Sequence, residues 1–217
     1  MALRIFITAT NTDIGKTHTT LKLLEAFTRM GLRVGAFKPV ETGVTNLPQD
    51  GTALHNALKR FNPAFQEIGL ETIVPVRFQL PAAPYVAKGT NPIDYPAIDR
   101  AFEKIEAIAD VVIIEGAGGI LVPLDDETTM LDLARRFNAA ILLVGHCRLG
   151  CINDLMLNIR LFEQAGLEYR WVLNCRDDDQ TFAAVSLPYL RDRFGTVPIL
   201  QKDLFSVARS FLPQEAP

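Results

Sequence analysis

The chain is poor in cysteine and tryptophan and has no marked excess of either charge. Its 217 residues include three cysteines and one tryptophan. An odd cysteine number in no framework spacing argues against a disulfide-stapled scaffold, so three reduced thiols are expected. His146, Cys147 and Cys151 lie close in sequence. No second cluster completes four ligands, so buried thiols near a strand end are expected there rather than a metal site. Lys and Arg number 22 against 25 Asp and Glu, a formal net charge of −3. The basic residues are dispersed and offer nothing to nucleic acid or an anionic membrane. No apolar run approaches the ~20 residues that span a bilayer. The run of Ile5, Phe6 and Ile7 after Arg4 is too short for a signal-peptide core. A cytoplasmic protein with neither nucleic-acid nor membrane partner is expected.

What is present is an alternation of strand and helix signals. Apolar residues make up 48% and charged residues 22%, an ordinary globular balance, and the length supplies a full core for one domain over residues 1–217. Short, nearly continuous apolar runs predict strands covered on both faces at 4–9, 33–39, 110–116, 139–145 and 169–174. Leu21, Leu24 and Phe27 at helical spacing predict a helix over 17–30, stopped by Gly31. Ile98, Phe102, Ile105 and Ile108 predict a second over 96–109. Ile152, Leu155, Ile159 and Phe162 predict a third over 152–165, stopped by Gly166. Strands alternating with helices imply right-handed crossovers and a mostly parallel α/β sheet with helices on both faces. The least regular stretch, 41–92, rich in proline and glycine, is a natural home for substrate-binding loops.

Residues 8–17 read TATNTDIGKT. A phosphate-binding loop has glycine, four residues, then Gly-Lys-Ser/Thr; here Gly15, Lys16 and Thr17 are intact and Thr10 holds the first glycine's place. A strand before and a helix after give the motif its meaning. Backbone N–H groups at the helix start point at an anion and the helix dipole adds to the attraction. Lys16 would reach the outer phosphates and Thr17 would offer its hydroxyl to magnesium. A plain strand-to-helix turn has no use for a cation such as Lys16 at a helix N-terminus.

In VVIIEGAGG, residues 111–119, Glu115 ends a strand. Ligands of open parallel sheets sit beyond the carboxyl ends of strands, and magnesium takes oxygen ligands, so Glu115 pairs naturally with Thr17. Gly116, Gly118 and Gly119 allow close backbone approach. In FKPVETG, residues 37–43, Lys38 ends a strand on the same edge as Lys16.

These motifs, in order, resemble the dethiobiotin synthetase family: Thr10, Thr12, Gly15, Lys16 and Thr17; Lys38, Pro39, Thr42 and Gly43; Glu115 to Gly119; Leu149 to Asn153. The likeness runs from residue 4 to about residue 175 and implies a single-domain fold like that of P-loop NTPases. It implies an ATP- and Mg²⁺-dependent ligase that carboxylates 7,8-diaminopelargonate with CO2 and closes the cyclic urea of dethiobiotin. By the resemblance, Lys38, Lys16 and Thr12 are catalytic, with Lys38 holding a carbamate. Nucleotide contacts fall on Asp13, Ile14, Gly15, Lys16, Thr17, His18, Asp50, Glu115, Gly116, Ala117, Gly118 and Asn174. Metal ligation falls on Thr17, Asp50 and Glu115. Substrate contacts fall on Thr42, Gly118, Gly150, Cys151, Ile152 and Asn153, the last four serving the other subunit of a homodimer.

The chain departs from the family pattern at Ala9, where glycine is common, and after Asn174, where CRDDD follows. The segment VPIL, 197–200, falls where the family has another base-contacting loop. Partition and division ATPases share the topology but carry an additional lysine early in the loop, and residues 8–14 contain none. A regulatory GTPase needs Asn-Lys-x-Asp, where this chain has LNCRDDD. A cobyrinate-type synthetase would add a glutaminase domain, which 217 residues do not accommodate.

Overall fold

A computed structural model describes residues 2–176, 179 and 181–213. Strand β1 (Leu3–Ala9) leads into helix α1 (Lys16–Arg29), strand β2 (Val34–Phe37) and the short β3 (Val40–Thr42). Helix α2 (Gln49–Phe61), a 3-10 turn (Pro63–Phe65), α3 (Leu70–Ile73), β4 (Val76–Phe78) and α4 (Pro84–Ala87) follow. Next come α5 (Tyr95–Glu106), β5 (Val111–Glu115), α6 (Met130–Arg136), β6 (Ala140–Gly145), α7 (Cys151–Gln164) and β7 (Tyr169–Leu173). Helices α8 (Phe182–Val185), α9 (Leu187–Phe194) and α10 (Leu200–Arg209) complete the described chain.

The main sheet has the order β2-β5-β1-β6-β7 and every pairing is parallel. A second small parallel pair joins β3 to β4. Ile5, Phe6 and Ile7 of the central β1 are all fully buried. Successive strand residues point to opposite faces, so burial of all three means that helices cover both. On one face Phe37, Phe102 and Phe137 form an aromatic cluster, with ring centroids 4.5–5.8 Å apart. Gly35 lets α5 press onto that face, since a Cβ there would come within 2.8 Å of Ile105. Helix α1 packs beside α2 and α10 and against β2 and β5.

Three features differ from the sequence-based expectation. The stretch 41–92 is largely ordered, with α2 as its main element. The first N–H groups of α2 are capped from a distance: Glu41 accepts from Asp50 N at 3.1 Å and from Gly51 N at 2.9 Å. Strand β2 stops at Phe37 because the Lys38 N–H turns to the Ile73 carbonyl, 2.9 Å away. The cysteines are not three free thiols. Cys147 and Cys175 form a disulfide with Cα atoms 5.0 Å apart, and Cys151 alone is free. β6 and β7 run side by side in parallel, and each bonded cysteine lies just beyond its strand end, so the topology brings them together. No described helix is long and apolar enough to cross a membrane.

Candidate active site

The carboxyl edge of the main sheet carries the site. Between β1 and α1 the chain makes a tight loop whose Thr10 N–H donates to Val144 O at 3.0 Å. Asp13 and Gly15 adopt the left-handed region, with φ of 57° and 100°. At Gly15 a side chain would also collide with the Asn174 amide. No side chain caps α1 and its first turn holds no acidic residue. Its opening N–H groups are therefore free to meet an anion.

Five side chains converge beside this loop. Lys38, only 3% exposed, places Nζ 2.8 Å from Glu115 Oε1 and 3.0 Å from Asp50 Oδ2. The Thr17 hydroxyl donates to Glu115 Oε1 at 2.8 Å, and Thr20 Oγ1 lies 2.9 Å from Glu115 Oε2. Glu115 is 0% exposed, and among the described residues two hydroxyls and one ammonium lie within hydrogen-bond distance of its carboxylate. Burial alone would depress the Lys38 ammonium, but Glu115 and Asp50 outweigh it and hold its pKa above the usual lysine value. Burial would likewise raise Asp50, yet the Lys38 charge holds that carboxyl below its ordinary range. At Lys16 burial first, then Lys38, push the pKa down against the opposing charges of Glu115, Asp50 and Asp13. Burial raises the Glu41 carboxyl, opposed by the Gly51 N–H.

A cleft of about 850 Å³ opens over this cluster. Thr12, Asp13, Gly15, Lys16, Thr17, Lys38, Thr42, Asp50, Ala117 and Gly118 all line it, as do Glu41 and Arg176. Glu115 lies buried beneath it, and Gly116 continues the β5 ladder with its N–H on Ile7 O at 2.9 Å. Thr12 is exposed, and its hydroxyl is 3.2 Å from Asn11 Oδ1. Thr10 Oγ1 is buried and without a partner among the described residues. Ile14 is buried, and His18 stands exposed on α1. Asn174 sits behind the loop, its Nδ2 donating to Ile14 O at 2.8 Å.

The remaining expected residues are elsewhere. Gly150, with φ of 97°, opens α7, where Cys151 is buried, Ile152 half-buried and Asn153 exposed. None of these four lines the cleft. His146 Nε2 lies 3.0 Å from Asp154 Oδ2, and the Arg148 N–H donates to Nδ1 at 3.1 Å.

Sequence reasoning missed Thr20, Glu41, Arg176 and Gln201. Thr20 follows Thr17 by one helical turn, a spacing that places both on one face. Glu41 lay inside the quoted FKPVETG. Arg176, which donates to Asp13 O, and Gln201, which meets Asn174, carry no local signal.

The donor set fits a hard divalent cation. Among the described residues no group of three or more His, Cys, Asp or Glu is placed to hold a metal ion. Magnesium needs fewer, since it keeps waters and substrate phosphates as ligands. Two carboxylates meet one ammonium and a hydroxyl bonds one of them, and together these oxygens form such a set.

Residues 3–202 match the family model described as an AAA domain. The chain is 38% identical to the ATP-dependent dethiobiotin synthetase of Sulfurovum sp. over 185 residues, covering 85% of this chain and 88% of that protein. It is 35% identical to the enzyme of that name from Wolinella succinogenes over 211 residues, 96% of this chain and 97% of its relative. Among solved structures it superposes on the MinC:MinD cell division complex of Aquifex aeolicus with a TM-score of 0.53 at 17% identity, over 98% of this chain and 87% of that one. A ParA family ATPase from Chlorobium tepidum gives 0.52 at 14% identity, over 99% and 95%. At such identities those two share the fold alone. The sequence relatives say more: the chain belongs to the ATP-dependent dethiobiotin synthetases, a family of ligases.

Proposed function

We propose that this chain carboxylates 7,8-diaminopelargonate with CO2 and closes it to dethiobiotin, consuming ATP. The observation that carries this reading is Lys38, a buried cation at the floor of the cleft, next to a phosphate-binding loop. One amine of the substrate adds to CO2, loses a proton and becomes a carbamate. The carbamate oxygen then bonds to the γ-phosphorus as the bond to the ADP oxygen breaks. The second amine attacks the activated carbonyl, its proton is lost, and phosphate leaves as the ring closes.

The step that needs most help brings two anions together. At 4 Å two unit charges interact by roughly 4 kcal/mol at an effective dielectric of 20. Phosphoryl transfer is mostly positioning and neutralisation of charge. Lys38 holds the carbamate, Lys16 meets the outer phosphates, and the free N–H groups of α1 face the triphosphate. Thr12 and Thr42 stand on the cleft wall and contact the carbamate and substrate. Thr17, Asp50 and Glu115 would hold magnesium, which supplies neutralising charge on the phosphate oxygens. Asp13, Ile14, Gly15, His18, Gly116, Ala117, Gly118 and Asn174 complete the nucleotide side.

Gly150 to Asn153 receive the substrate's tail carboxylate at the start of α7, across the interface of a homodimer. Two observations support that placement. The α7 start is a helix N-terminus, suited to a carboxylate. Beside it Leu149 is 81% exposed and Leu157 63%, apolar surface that a second subunit would cover.

The test is direct. Protein, ATP, Mg²⁺, bicarbonate and the diamine are incubated together and the product is weighed by mass spectrometry. Dethiobiotin, with ADP release strictly dependent on the diamine, is expected. ATP hydrolysis indifferent to the diamine and without ring product would sink the proposal.

A further inference from the structure

We infer that Glu41 is a positioning residue: by capping α2 from a distance it turns the Asp50 carboxylate away from its own helix and towards Lys38 and the magnesium position. This rests on the reading of Asp50 as a metal ligand. Helix α2 starts with Pro48 at the N-cap, in extended backbone with φ of −65° and ψ of 116°, and no side chain of that residue caps the helix. An N-cap side chain serves the N–H groups of the second and third helical residues. Here those residues are Asp50 and Gly51, and proline carries no side-chain acceptor to reach them. One carboxylate from β3 takes both instead. Asp50 N donates to Glu41 Oε1 at 3.1 Å, and Gly51 N donates to Glu41 Oε2 at 2.9 Å. Glu41 is 5% exposed. The helix side is shaped for this contact as well. A Cβ at Gly51 would come within 2.0 Å of Val74 Cγ2 and 3.3 Å of Glu41 Oε2, so a larger residue could not start the helix this close to β3.

The consequence for Asp50 follows from where it stands. An aspartate in the first turn of a helix meets free N–H groups and the positive end of the helix dipole. Its short side chain readily bonds back to such groups. A bond of that kind would draw the Asp50 carboxylate off the cleft wall. With Asp50 N and Gly51 N both occupied by Glu41, that alternative is closed. The carboxylate meets Lys38 Nζ at 3.0 Å instead, on the lining of the cleft. Glu41 therefore acts on the ligand set through two backbone N–H groups and the residue between them and the metal.

The experiment titrates Mn²⁺, a paramagnetic stand-in for Mg²⁺, by electron paramagnetic resonance into protein carrying one equivalent of a non-hydrolysable ATP analogue. Wild type is compared with Glu41→Gln, Glu41→Asp, Asp50→Asn and the double variant Glu41→Gln/Asp50→Asn, each with a melting curve. Glu41→Gln keeps the shape but leaves one acceptor for two N–H groups. It should weaken Mn²⁺ binding about three- to tenfold, the value of one ordinary hydrogen bond. Glu41→Asp keeps the charge but is one methylene short, and should lose as much. The double variant should bind Mn²⁺ no more weakly than Asp50→Asn, because no Asp50 carboxylate is left to aim. A merely structural Glu41 would lower the melting temperature and leave the Mn²⁺ affinity of the folded variants unchanged, which would overturn the inference. Losses that add in the double variant would overturn it as well, since Glu41 would then act on the metal independently of Asp50. If Asp50→Asn binds Mn²⁺ as wild type does, the metal reading of Asp50 falls and takes the inference with it. If Asp50→Asn binds weakly and both Glu41 variants bind normally, the inference falls alone.

Discussion

Replacing Lys38 by methionine keeps most of the side chain's volume and removes its charge. Among the described residues the ammonium is the only cation bonded to Glu115, which is 0% exposed. Asp50, its other partner, has a side chain 43% exposed and can rehydrate. The cost therefore falls on Glu115, left buried with the Thr17 and Thr20 hydroxyls alone among the described residues. Breaking a buried pair by removing one partner costs about 3–5 kcal/mol. For a domain of this size that lowers the melting temperature by roughly 6–20 °C. The double variant Lys38→Met/Glu115→Gln removes the stranded charge and keeps the shape, so it should recover most of the loss. Urea unfolding of wild type, both single variants and the double variant closes a cycle that isolates the coupling. Turnover should fall by ~10²–10³ in Lys38→Met, as for loss of one preorganised transition-state donor, and should not recover in the double variant. If Lys38→Met unfolds at the wild-type urea concentration, or the double variant is no more stable than the single, the claim that Lys38 sustains Glu115 is wrong.

Other outcomes follow from the same structure. Thr12→Val should impair turnover more than ATP affinity, because Thr12 lies exposed at the cleft mouth and its hydroxyl serves no buried contact; equal losses in kinetics and in ATP titration would make it a plain loop residue. Gly15→Ala should abolish ATP binding and lower thermal stability, since φ of 100° disfavours a side chain and the Asn174 amide fills the space; calorimetric titration and melting together check both. Tyr95, whose hydroxyl donates to Asp125, is raised from its ordinary 10.0 to about 12, by burial first and then by that bond. A raised folded-state pKa means stability that is intact below pH 10 and lost as pH climbs towards 12. Tyr95→Phe should flatten that alkaline loss in unfolding curves, and an unchanged slope would refute it.

Much of the fold was legible because burial on both faces leaves a distinct trace. β1, β5 and β6 are near-continuous apolar runs, and α1, α5 and α7 are strict apolar stripes ended by small residues or turns. Helix α2 was not legible, because its cap is Glu41, across Pro48 and nine residues before Asp50. Helix α6 did carry a local mark, the Thr129 and Asp132 capping box, in a helix of only seven residues. At the site, strand-end logic brought Lys16, Thr17, Lys38 and Glu115 together. Asp50 came only through resemblance, since a carboxylate in a loop has no signature until the fold lays it beside Lys38. The same limit hid Arg176, Gln201 and the Cys147–Cys175 bond, each defined by a partner distant in sequence.

That last bond turns part of the chain into a ring. The 28-residue separation of its cysteines encloses all of α7 and β7. Closing a ring of this length restricts the unfolded chain by roughly 3–4 kcal/mol in the chain-entropy treatment. It also changes what can move alone. β7 is the last strand of the sheet, and an unlinked edge strand could peel away with the segment that follows it. Joined beyond their ends, β6 and β7 can separate there by no more than the bridge allows. The start of α7 and the Asn174 segment thus behave as one mechanical part, which a thiol reductant would divide into two.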